Sequence, residues 1–491
     1  MDLLRSMHHS SGKLPTAWVE TYGCQMNISD GELMRGILAA RGFEPATSPE
    51  EADVILVNTC AIREHAEQRV LGRVGELNRI KRERPGVVIG VTGCMAQRMG
   101  ETLLERAPYV DLVMGPDGYR GLPDVLARIR PDVFGDKAVD AVPEANRRRA
   151  LPVVGPASED ARAHRAPERA AVLDFAGEEN YEGLEIRRTS RVSAWVPVQR
   201  GCDHRCTFCI VPYVRGPEKN RDPARVLEEV RGIAASGITE VVLLGQTVNS
   251  WSHGGWSFPQ LLRAVSRVDG IQRVRFTSPH PNDVTPELVE VMATEEAVCR
   301  QLHLPVQSGH DRTLKRMLRR YTVASFMEKV RMVREAVPDI ALSTDVIVAF
   351  PGETDAEYEA TLDLLRGVRF DDAYLYRYSE REGTPATRLP REQFVAAEIG
   401  QARLERVIEV QRAITAEINA GEVGSEVEVL VEREARSEGD MLGRTAGNKV
   451  AAFPGDDSLI NQYTRVRLTS TTGATFRAVR RESPAGLHRV A

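Results

Sequence analysis

The sequence lacks any run of about 18 consecutive apolar residues, the length that a membrane-spanning helix requires. Its first 13 residues are polar and contain two adjacent histidines, so they do not resemble a secretory signal segment. Cysteine is scarce and odd in number, with seven in 491 residues, which argues against a framework of disulfide bonds. We therefore expect a cytoplasmic protein in a reducing environment, whose cysteines serve as metal ligands or catalysts.

An excess of positive charge is also absent, since 65 lysines and arginines face 70 aspartates and glutamates, a formal net charge of −5. This balance excludes a protein coated with nucleic-acid-binding charge, although it leaves room for a local basic surface. The length of the chain predicts about three domains.

Three of the seven cysteines lie in one short loop, Gly-Cys-Asp-His-Arg-Cys-Thr-Phe-Cys. They are Cys202, Cys206 and Cys209, separated by three and then two residues. Structural zinc sites favour paired Cys-x2-Cys hooks that together supply four ligands, and no second hook follows here. Three thiolates suit a [4Fe–4S] cluster whose fourth iron stays open to a ligand that is not protein. We predict such a cluster and keep structural zinc as the less favoured alternative.

Three further cysteines each follow a predicted strand in the N-terminal third: Cys24, Cys60 and Cys94. Strands alternate with helices in this region, which predicts βαβ units and a parallel sheet. Because ligands bind outside the carboxyl ends of parallel strands, we expect the three thiols to converge and to hold a second cluster with an open iron. Three buried free cysteines are the alternative. The predicted strands are 17–21, 53–58, 87–92 and 110–114, with a helix over 30–40.

Strand and helix patterns are lost between residues 131 and 190, where proline, alanine and mixed charge dominate. We predict an extended, partly ordered linker there. The run of Arg147, Arg148 and Arg149 is more typical of a solvated linker than of a phosphate site.

Six strand–helix repeats follow and predict an incomplete (β/α)6 barrel, two repeats short of a closed one. The Cys202–Cys209 loop follows the first strand, at the carboxyl-end face where such folds hold their chemistry. Cys299 precedes a strand without a partner and is predicted to be inert. The predicted strands are 194–199, 240–244, 273–277, 301–306, 342–348 and 373–378. Small or polar residues at the same face are predicted to line a cofactor pocket: Gly245, Gln246, Asn249, Ser278, Ser308, Ser343 and Asp345.

Residues 421–482 consist of short β-branched runs at 427–431, 463–468 and 475–479, which predict a small β-barrel. Residues 441–491 contain eight basic and three acidic residues. This charge predicts a basic surface for RNA, with a merely solvated face as the alternative. Its candidate residues are Arg444, Lys449, Arg465, Arg467 and Arg477.

Longer motifs in all three regions resemble the radical SAM methylthiotransferase family. The loop cysteines with Phe208 before the last of them resemble its barrel, and Gly-Arg-Thr at 443–445 resembles its RNA-binding TRAM module. Two residues depart from the usual family pattern, Thr247 in place of asparagine and Ala349 in place of glycine. The other matching motifs are Tyr-Gly-Cys-Gln-Met-Asn at 22–27, Asn-Thr-Cys-Ala-Ile-Arg-Glu at 58–64, Thr-Gly-Cys-Met-Ala-Gln at 92–97, Leu-Leu-Gly-Gln-Thr-Val-Asn at 243–249, Leu-His-Leu-Pro-Val-Gln-Ser-Gly at 302–309 and Ser-Thr-Asp-Val-Ile-Val-Ala-Phe-Pro-Gly-Glu-Thr at 343–354.

The resemblance implies an α/β protein with a cluster domain (17–130), a linker (131–190), a partial (β/α)6 radical SAM barrel (191–420) and a C-terminal all-β TRAM domain (421–482). It implies two [4Fe–4S] clusters and S-adenosylmethionine, with Phe208 among the cofactor-binding residues. The loop cluster would cleave S-adenosylmethionine to a deoxyadenosyl radical, and the N-terminal cluster would hold and deliver sulfur as a methylthio group. The implied partners are tRNA, a flavodoxin- or ferredoxin-like electron donor and a sulfur source.

The residues of the motifs at 22–27 and 58–64 favour methylthiolation of carbon 2 of N6-dimethylallyladenosine, next to the anticodon of tRNA. Two sister activities in the family remain open, on threonylcarbamoyladenosine in tRNA and on a ribosomal protein aspartate. A non-catalytic iron–sulfur protein that binds RNA is the alternative from a different class.

Overall fold

The computed structural model describes residues 14–61, 64–134, 169–175, 177 and 179–481, without the side chains of 64–67. Arg147, Arg148 and Arg149 lie outside the described residues. None of the helices in the described ranges is both long and apolar enough to cross a membrane. The chain divides into two compact units, the first formed by Met1–Thr189 with Tyr213–Gly216 and the second by Ser190–Pro212 with Pro217–Ala491.

The first unit is built on a six-stranded parallel sheet. Its strands are β1 (Thr16–Tyr22), β2 (Glu44–Pro45), β3 (Val54–Thr59), β4 (Val88–Gly93), β5 (Leu112–Met114) and β6 (Ala170–Val172), in the order β2-β1-β3-β4-β5-β6. Alternate residues of the central strands enter two separate hydrophobic clusters, because helices cover both faces of a parallel sheet. These helices are α1 (Gln25–Ala40), α2 (Glu64–Glu83), α3 (Cys94–Met99), α4 (Thr102–Arg106), α5 (Leu122–Ile129) and α6 (Pro131–Phe134).

Strand β6 and helices α1 and α6 differ from the sequence prediction, α6 because it occupies the first four residues of the predicted linker. Strand β6 lies in the segment predicted to be an irregular linker, where it pairs with β5 at the edge of the sheet. A three-residue strand carries no usable periodicity, so its partner decides its conformation. Helix α1 begins at Gln25 rather than at residue 30, with Cys24 in extended conformation as its N-cap. The predicted position of Cys24 just beyond a strand is therefore also the start of a helix.

The second unit contains six parallel strands in two three-stranded sheets, β13-β10-β7 and β14-β15-β16. The prediction of an α/β chain with an incomplete (β/α)6 barrel is thereby confirmed. The six strands are β7 (Ser193–Pro197), β10 (Glu240–Leu244), β13 (Arg273–Phe276), β14 (Gln301–His303), β15 (Ala341–Val348) and β16 (Asp372–Arg377). Two short antiparallel pairs accompany them, β8 (Gln199–Arg200) with β9 (Lys219–Asn220) and β11 (Ser252–His253) with β12 (Trp256–Ser257).

Helices pack on the outer face of these strands. The helices that share a core with the strands are α8 (Pro223–Ala235), α9 (Phe258–Ser266), α10 (Pro286–Thr294), α12 (Val323–Ala336), α13 (Asp355–Val368) and α14 (Ala397–Glu422). Two short helices, α7 (Val211–Arg215) and α11 (Asp311–Arg316), lie in connecting segments. Alternate strand residues, such as Leu342, Val346 and Val348, are buried in the core that the helices share. The intervening residues of β15, Ser343 and Asp345, are only partly buried, as expected for the inner face of an open barrel.

The C-terminal module is a closed five-stranded barrel in the order β17-β18-β19-β21-β20. The sequence prediction of a small β-barrel is correct, but it contained only three of the five strands. The two missed strands, β18 and β19, do not form apolar β-branched runs. Strand β18 contains Gly443, and Asn448 in the turn between the two strands has a positive φ of 67°. The strands are β17 (Glu426–Glu434), β18 (Asp440–Thr445), β19 (Val450–Pro454), β20 (Tyr463–Thr471) and β21 (Thr475–Arg480).

This small barrel is docked at the amino-terminal ends of the large barrel's strands. Arg273, the first residue of β13, donates to the carbonyl of Arg444 at 2.7 Å. Arg275 donates to the carbonyls of Thr445 and Ala446 at 2.7 and 2.9 Å, and it also pairs with the carboxylate of Glu240 at 3.1 Å. The loop with Cys202 follows the opposite, carboxyl-terminal ends of the strands.

Candidate functional site

The first set of candidate ligands lies along one edge of the N-terminal sheet. Tyr22 pairs in register with Thr59, and Thr59 pairs with Gly93, so β1, β3 and β4 end side by side. Cys60 and Cys94 immediately follow β3 and β4, and Cys24 follows β1 after one glycine. The sequence prediction that these cysteines share one sheet edge matches this register, although their role as ligands remains a prediction.

Glycine is required before two of these cysteines. Gly23 has a φ of +143°, and a Cβ atom there would lie 2.6 Å from the Cβ of Cys60. Gly93 has a φ of +92°, and its Cβ would lie 2.4 Å from Oδ1 of Asn58. Any side chain at either position would push the neighbouring strand ends apart, so the glycines hold the cysteine-bearing turns close together.

The thiols of this set have unequal acidity. A hydrogen bond with Cys60, aided by the positive charge of Arg215, lowers the pKa of Cys24 to about 6 despite burial. Burial raises the pKa of Cys94, against the opposing effect of Arg215. A thiolate is the form that binds iron, so the site already favours it at one of its three positions.

Arg215 is a functional candidate that the sequence analysis did not single out. Residues Tyr213–Gly216 belong to the first unit, where the guanidinium is buried. Its Nε donates to Sγ of Cys94 at 3.1 Å and its Nη2 to Oδ2 of Asp30 at 2.8 Å. Arg215 is 121 positions from Cys94 and 185 from Asp30, so no local pattern signals the contacts.

The second set of candidate ligands, in the loop after β8, is held by its neighbours rather than by regular structure. Thr207 anchors the loop, since its hydroxyl and its N–H donate to the carbonyls of Arg316 and Met317 at 2.9 and 3.1 Å. Phe208 packs against a buried cluster that contains Met317, Phe350 and Ala386. The aromatic ring of Phe208 therefore anchors the loop by packing, whatever contact it makes with a cofactor.

Burial disfavours the charged form of two of the three loop thiols, as it does for Cys94 in the first set. Burial raises the pKa of Cys202 to about 11 and that of Cys209 to about 12. Nη1 of the buried Arg319 lies 3.5 Å from Sγ of Cys206 and supplies a positive charge beside it. Iron binding at this loop must displace protons, as it does wherever thiols become metal ligands.

The predicted pocket residues after β10 have different surroundings. A Cβ at Gly245 would lie 2.8 Å from the backbone of Val248, so this turn needs glycine. The side-chain amide of Asn249 donates to the carbonyl of His280 at 2.9 Å and accepts from the N–H of His280 at 2.7 Å, so it connects the two loops. Gln246 keeps a buried Oε1 without a hydrogen-bond partner among the described residues.

The remaining pocket residues follow β13, β14 and β15. Ser278 is exposed with a φ of +56°, and Ser308 is fully buried. His303, which the sequence analysis did not list, contacts Ser343 Oγ at 3.0 Å through Nδ1 and Asp345 Oδ2 at 3.3 Å through Nε2. A polar group thus lines the inner face of β14 and β15, and the histidine could have been found from its alternation with apolar Leu302 and Leu304.

The two departures from the family pattern have clear structural settings. Ala349 has a φ of +58°, the left-handed region that favours glycine. The N–H of Thr247 donates to the buried side chain of Gln199 at 2.9 Å, so this backbone contact is independent of the residue type.

Buried groups without partners fit the ligands that the cysteine sets imply. Oε1 atoms of Gln246 and Gln307 are buried acceptors without a donor among the described residues, and the amino group of S-adenosylmethionine is a donor. Nη1 of Arg215 is a buried donor that has no acceptor in the described ranges of the chain, and sulfur carried by an iron–sulfur cluster is anionic. Buried polar groups are normally satisfied, so both places are chemically suited to bound groups.

Comparisons with known proteins agree with this geometry. Three family models match, the Uncharacterized protein family UPF0004 at residues 16–115, the Radical SAM superfamily at 196–365 and the TRAM domain at 421–479. A tRNA-2-methylthio-N(6)-dimethylallyladenosine synthase from Chlorobium luteolum is 40% identical over 463 residues, 94% of this chain and 96% of the relative. One of the same name from Moorella thermoacetica is 41% identical over 91% of this chain and 94% of its own. The chain belongs to the tRNA-2-methylthio-N(6)-dimethylallyladenosine synthase family.

Members of this family are radical SAM transferases, so the chain is an enzyme that works with S-adenosylmethionine and [4Fe–4S] clusters, as predicted. The fold also resembles a radical S-adenosylmethionine methyltransferase from Kitasatospora setae, solved with cobalamin and a [4Fe–4S] cluster. That match has a TM-score of 0.52 at 16% identity and covers 76% of this chain and 74% of the other. At this identity the likeness concerns the fold alone.

Proposed function

We propose that this chain transfers a methylthio group to carbon 2 of N6-dimethylallyladenosine next to the anticodon of tRNA. The observation that carries the proposal is the presence of two separate sets of three cysteines, one on aligned strand ends and one on an anchored loop. Relatives of that name, about 40% identical along more than nine tenths of the chain, support the choice of substrate. As part of the proposal we keep the domain limits 17–130, 131–190, 191–420 and 421–482.

In this proposal Cys202, Cys206 and Cys209 hold one [4Fe–4S] cluster together with S-adenosylmethionine. Cys24, Cys60 and Cys94 hold the other. When bound, the clusters supply the electron for cleavage of S-adenosylmethionine and the sulfur for transfer. The protein's part is to ligate, to orient and to exclude water.

Charged and polar residues around the loop set support these roles. Nη1 of Arg319 lies 3.5 Å from Sγ of Cys206, so a positive charge stands beside the anionic cluster proposed there. The buried Oε1 atoms of Gln246 and Gln307 offer acceptors for the amino group of S-adenosylmethionine. His303, held between Ser343 and Asp345, presents a polar edge for the adenosine substrate.

The C-terminal barrel supplies contacts to the tRNA backbone in this proposal. Three of its five candidate basic residues are engaged in ion pairs, Arg444 with Glu432, Lys449 with Asp371 and Arg477 with Asp440. Arg465 and Arg467 are exposed on β20 and have no ion pair among the described residues. These two are therefore the proposed phosphate contacts. We further propose a cytoplasmic location, a flavodoxin- or ferredoxin-like electron donor and an external sulfur source.

Mass spectrometry of tRNA tests the proposed substrate. A strain that lacks this gene should accumulate unmethylthiolated N6-dimethylallyladenosine, and the intact gene should restore the 2-methylthio form. Restored methylthio on threonylcarbamoyladenosine or on a ribosomal protein aspartate instead would assign one of the sister activities. Absence of any S-adenosylmethionine cleavage by the reconstituted protein would indicate a non-catalytic iron–sulfur protein.

Iron content and product analysis test the two cysteine sets separately. Reconstituted protein should contain about eight irons, and Cys202→Ala/Cys206→Ala/Cys209→Ala should retain about four and form no deoxyadenosine. Cys24→Ala/Cys60→Ala/Cys94→Ala should still cleave S-adenosylmethionine but transfer no methylthio group. Cys299→Ala is the matched control, because that thiol is buried beside Arg275 and should leave the iron content unchanged.

A further inference from the structure

Arg215 is held in place at two of its three guanidinium nitrogens. Nε donates to Sγ of Cys94 and Nη2 to the carboxylate of Asp30, and both side chains of this ion pair are almost inaccessible, at 4% and 1% exposed. A guanidinium is planar, so two fixed donors also determine the position of the third nitrogen. Asp30 therefore orients the arginine rather than merely neutralising it.

The third nitrogen, Nη1, is buried and has no hydrogen-bond partner among the described residues. A buried donor at a charged group is expensive to leave unsatisfied, so native structures rarely retain one without a function or a bound ligand. The acceptor must be small and must reach a site closed to bulk water.

The charge of the proposed site identifies the kind of acceptor. The guanidinium donates to Sγ of Cys94 at 3.1 Å, and its positive charge also acts on the thiol of Cys24. A [4Fe–4S] cluster on three thiolates is anionic, and a sulfide or thiolate at its open iron adds further negative charge. A buried anion requires a compensating cation with a directed donor.

We propose that Arg215 is a positioning residue that donates a hydrogen bond from Nη1 to the anionic sulfur at the open iron of the Cys24/Cys60/Cys94 cluster, an inference that rests on the proposed function. The arginine thereby holds this sulfur ligand in one place and stabilises its negative charge.

Binding of methanethiolate to the isolated cluster tests this inference. The full chain carrying Cys202→Ala/Cys206→Ala/Cys209→Ala is reconstituted, so that only the N-terminal cluster remains, and sodium methanethiolate is titrated with detection by electron paramagnetic resonance of the reduced cluster. Adding Arg215→Met should leave about four irons and weaken binding about tenfold or more, because a charge-assisted hydrogen bond is lost. Arg215→Lys should recover part of the affinity, which loss of packing alone would not allow.

Arg73→Met is the matched control, since it removes a partly buried arginine of the same unit that pairs with Glu20 and contacts no cysteine of the set in the described structure. Equal methanethiolate affinity for the parent and Arg215→Met, at equal iron content, would overturn the inference. If Arg215→Met loses its cluster, the same titration is made with Asp30→Asn, which keeps the arginine but removes the carboxylate that orients it. A methanethiolate affinity within about twofold of the parent would then overturn the inference. Absence of iron from the parent itself would instead refute the proposed second cluster.

Discussion

The contact of Arg275 with the C-terminal barrel offers the most direct test of how the second unit is held together. Arg275 and Glu240 form an ion pair in which the two side chains are 6% and 4% exposed. The same guanidinium donates to the carbonyls of Thr445 and Ala446. We expect Arg275→Met to destabilise this unit strongly, because it leaves the Glu240 carboxylate buried without a cation.

The magnitude follows from which group is left without a partner. The carbonyl of Thr445 still accepts from the N–H of Asn448 at 3.0 Å, and Ala446 is partly exposed, so the two carbonyls lose little. Glu240 has no other ion pair among the described residues. Breaking a buried pair on one side costs about 3–5 kcal/mol, so we expect a loss of about 4 kcal/mol.

Native-state hydrogen exchange measures this loss at the slowest amides of β10 and β13, which report on opening of the whole unit. A loss of about 4 kcal/mol corresponds to an acceleration of about a thousandfold, since about 1.4 kcal/mol is tenfold. Adding Glu240→Gln to Arg275→Met should recover about half of the loss by removing the unpaired charge. Arg300→Met, at an exposed pair with Asp339, should cost less than about 1 kcal/mol. An acceleration of less than about tenfold in Arg275→Met would show that Glu240 does not remain a buried, unpaired charge.

Two further predictions concern tRNA binding and thiol reactivity. Arg465→Glu/Arg467→Glu should weaken tRNA binding and reduce the slope of log affinity against log salt by about 1.5, measured by filter binding, because each phosphate contact contributes about 0.7–0.9. In the iron-free protein at pH 7, iodoacetamide should alkylate Cys24 faster than Cys202 or Cys209, as measured by peptide mass spectrometry. The lowered pKa of Cys24 makes it mostly thiolate above pH 6, whereas the raised pKa values of the other two keep them protonated.

Both predictions have internal controls. Arg225→Glu changes an exposed arginine on α8 and should leave the salt slope unaltered. An unchanged slope in Arg465→Glu/Arg467→Glu would remove these residues from the proposed tRNA surface. The alkylation rate of Cys24 should fall as the pH drops below 6, and equal rates for all three thiols at pH 7 would contradict the acidity assigned to the first set.

Much of the candidate site was predictable from the sequence because its signals are local or periodic. The spacing of Cys202, Cys206 and Cys209 needs only a loop, and one strand–helix period separates the cysteines of the other set. Helix α8 carries local signals of the same kind, since Asp222 caps it and a proline occupies its first position. Strand β6 was missed because its pairing partner, not its composition, makes it a strand.

Long-range contacts, which the sequence pattern does not show, decide which charges are paired and which lie beside the candidate cysteines. The sequence alone did not distinguish Arg465 and Arg467 from Arg444, Lys449 and Arg477, because the acidic partners of the last three were assigned only by folding. Contacts of Arg215 with Asp30 and Cys94, and of Arg319 with Cys206, join residues more than 100 positions apart. The periodicity of apolar residues in a sequence indicates which face of a helix or strand is buried. A buried charge pair is a single contact that does not repeat along the sequence, so periodicity does not indicate it. Local and periodic signals in the sequence are therefore enough for the fold class and for the two sets of candidate cysteine ligands, whereas long-range packing sets the electrostatic surroundings of those cysteines.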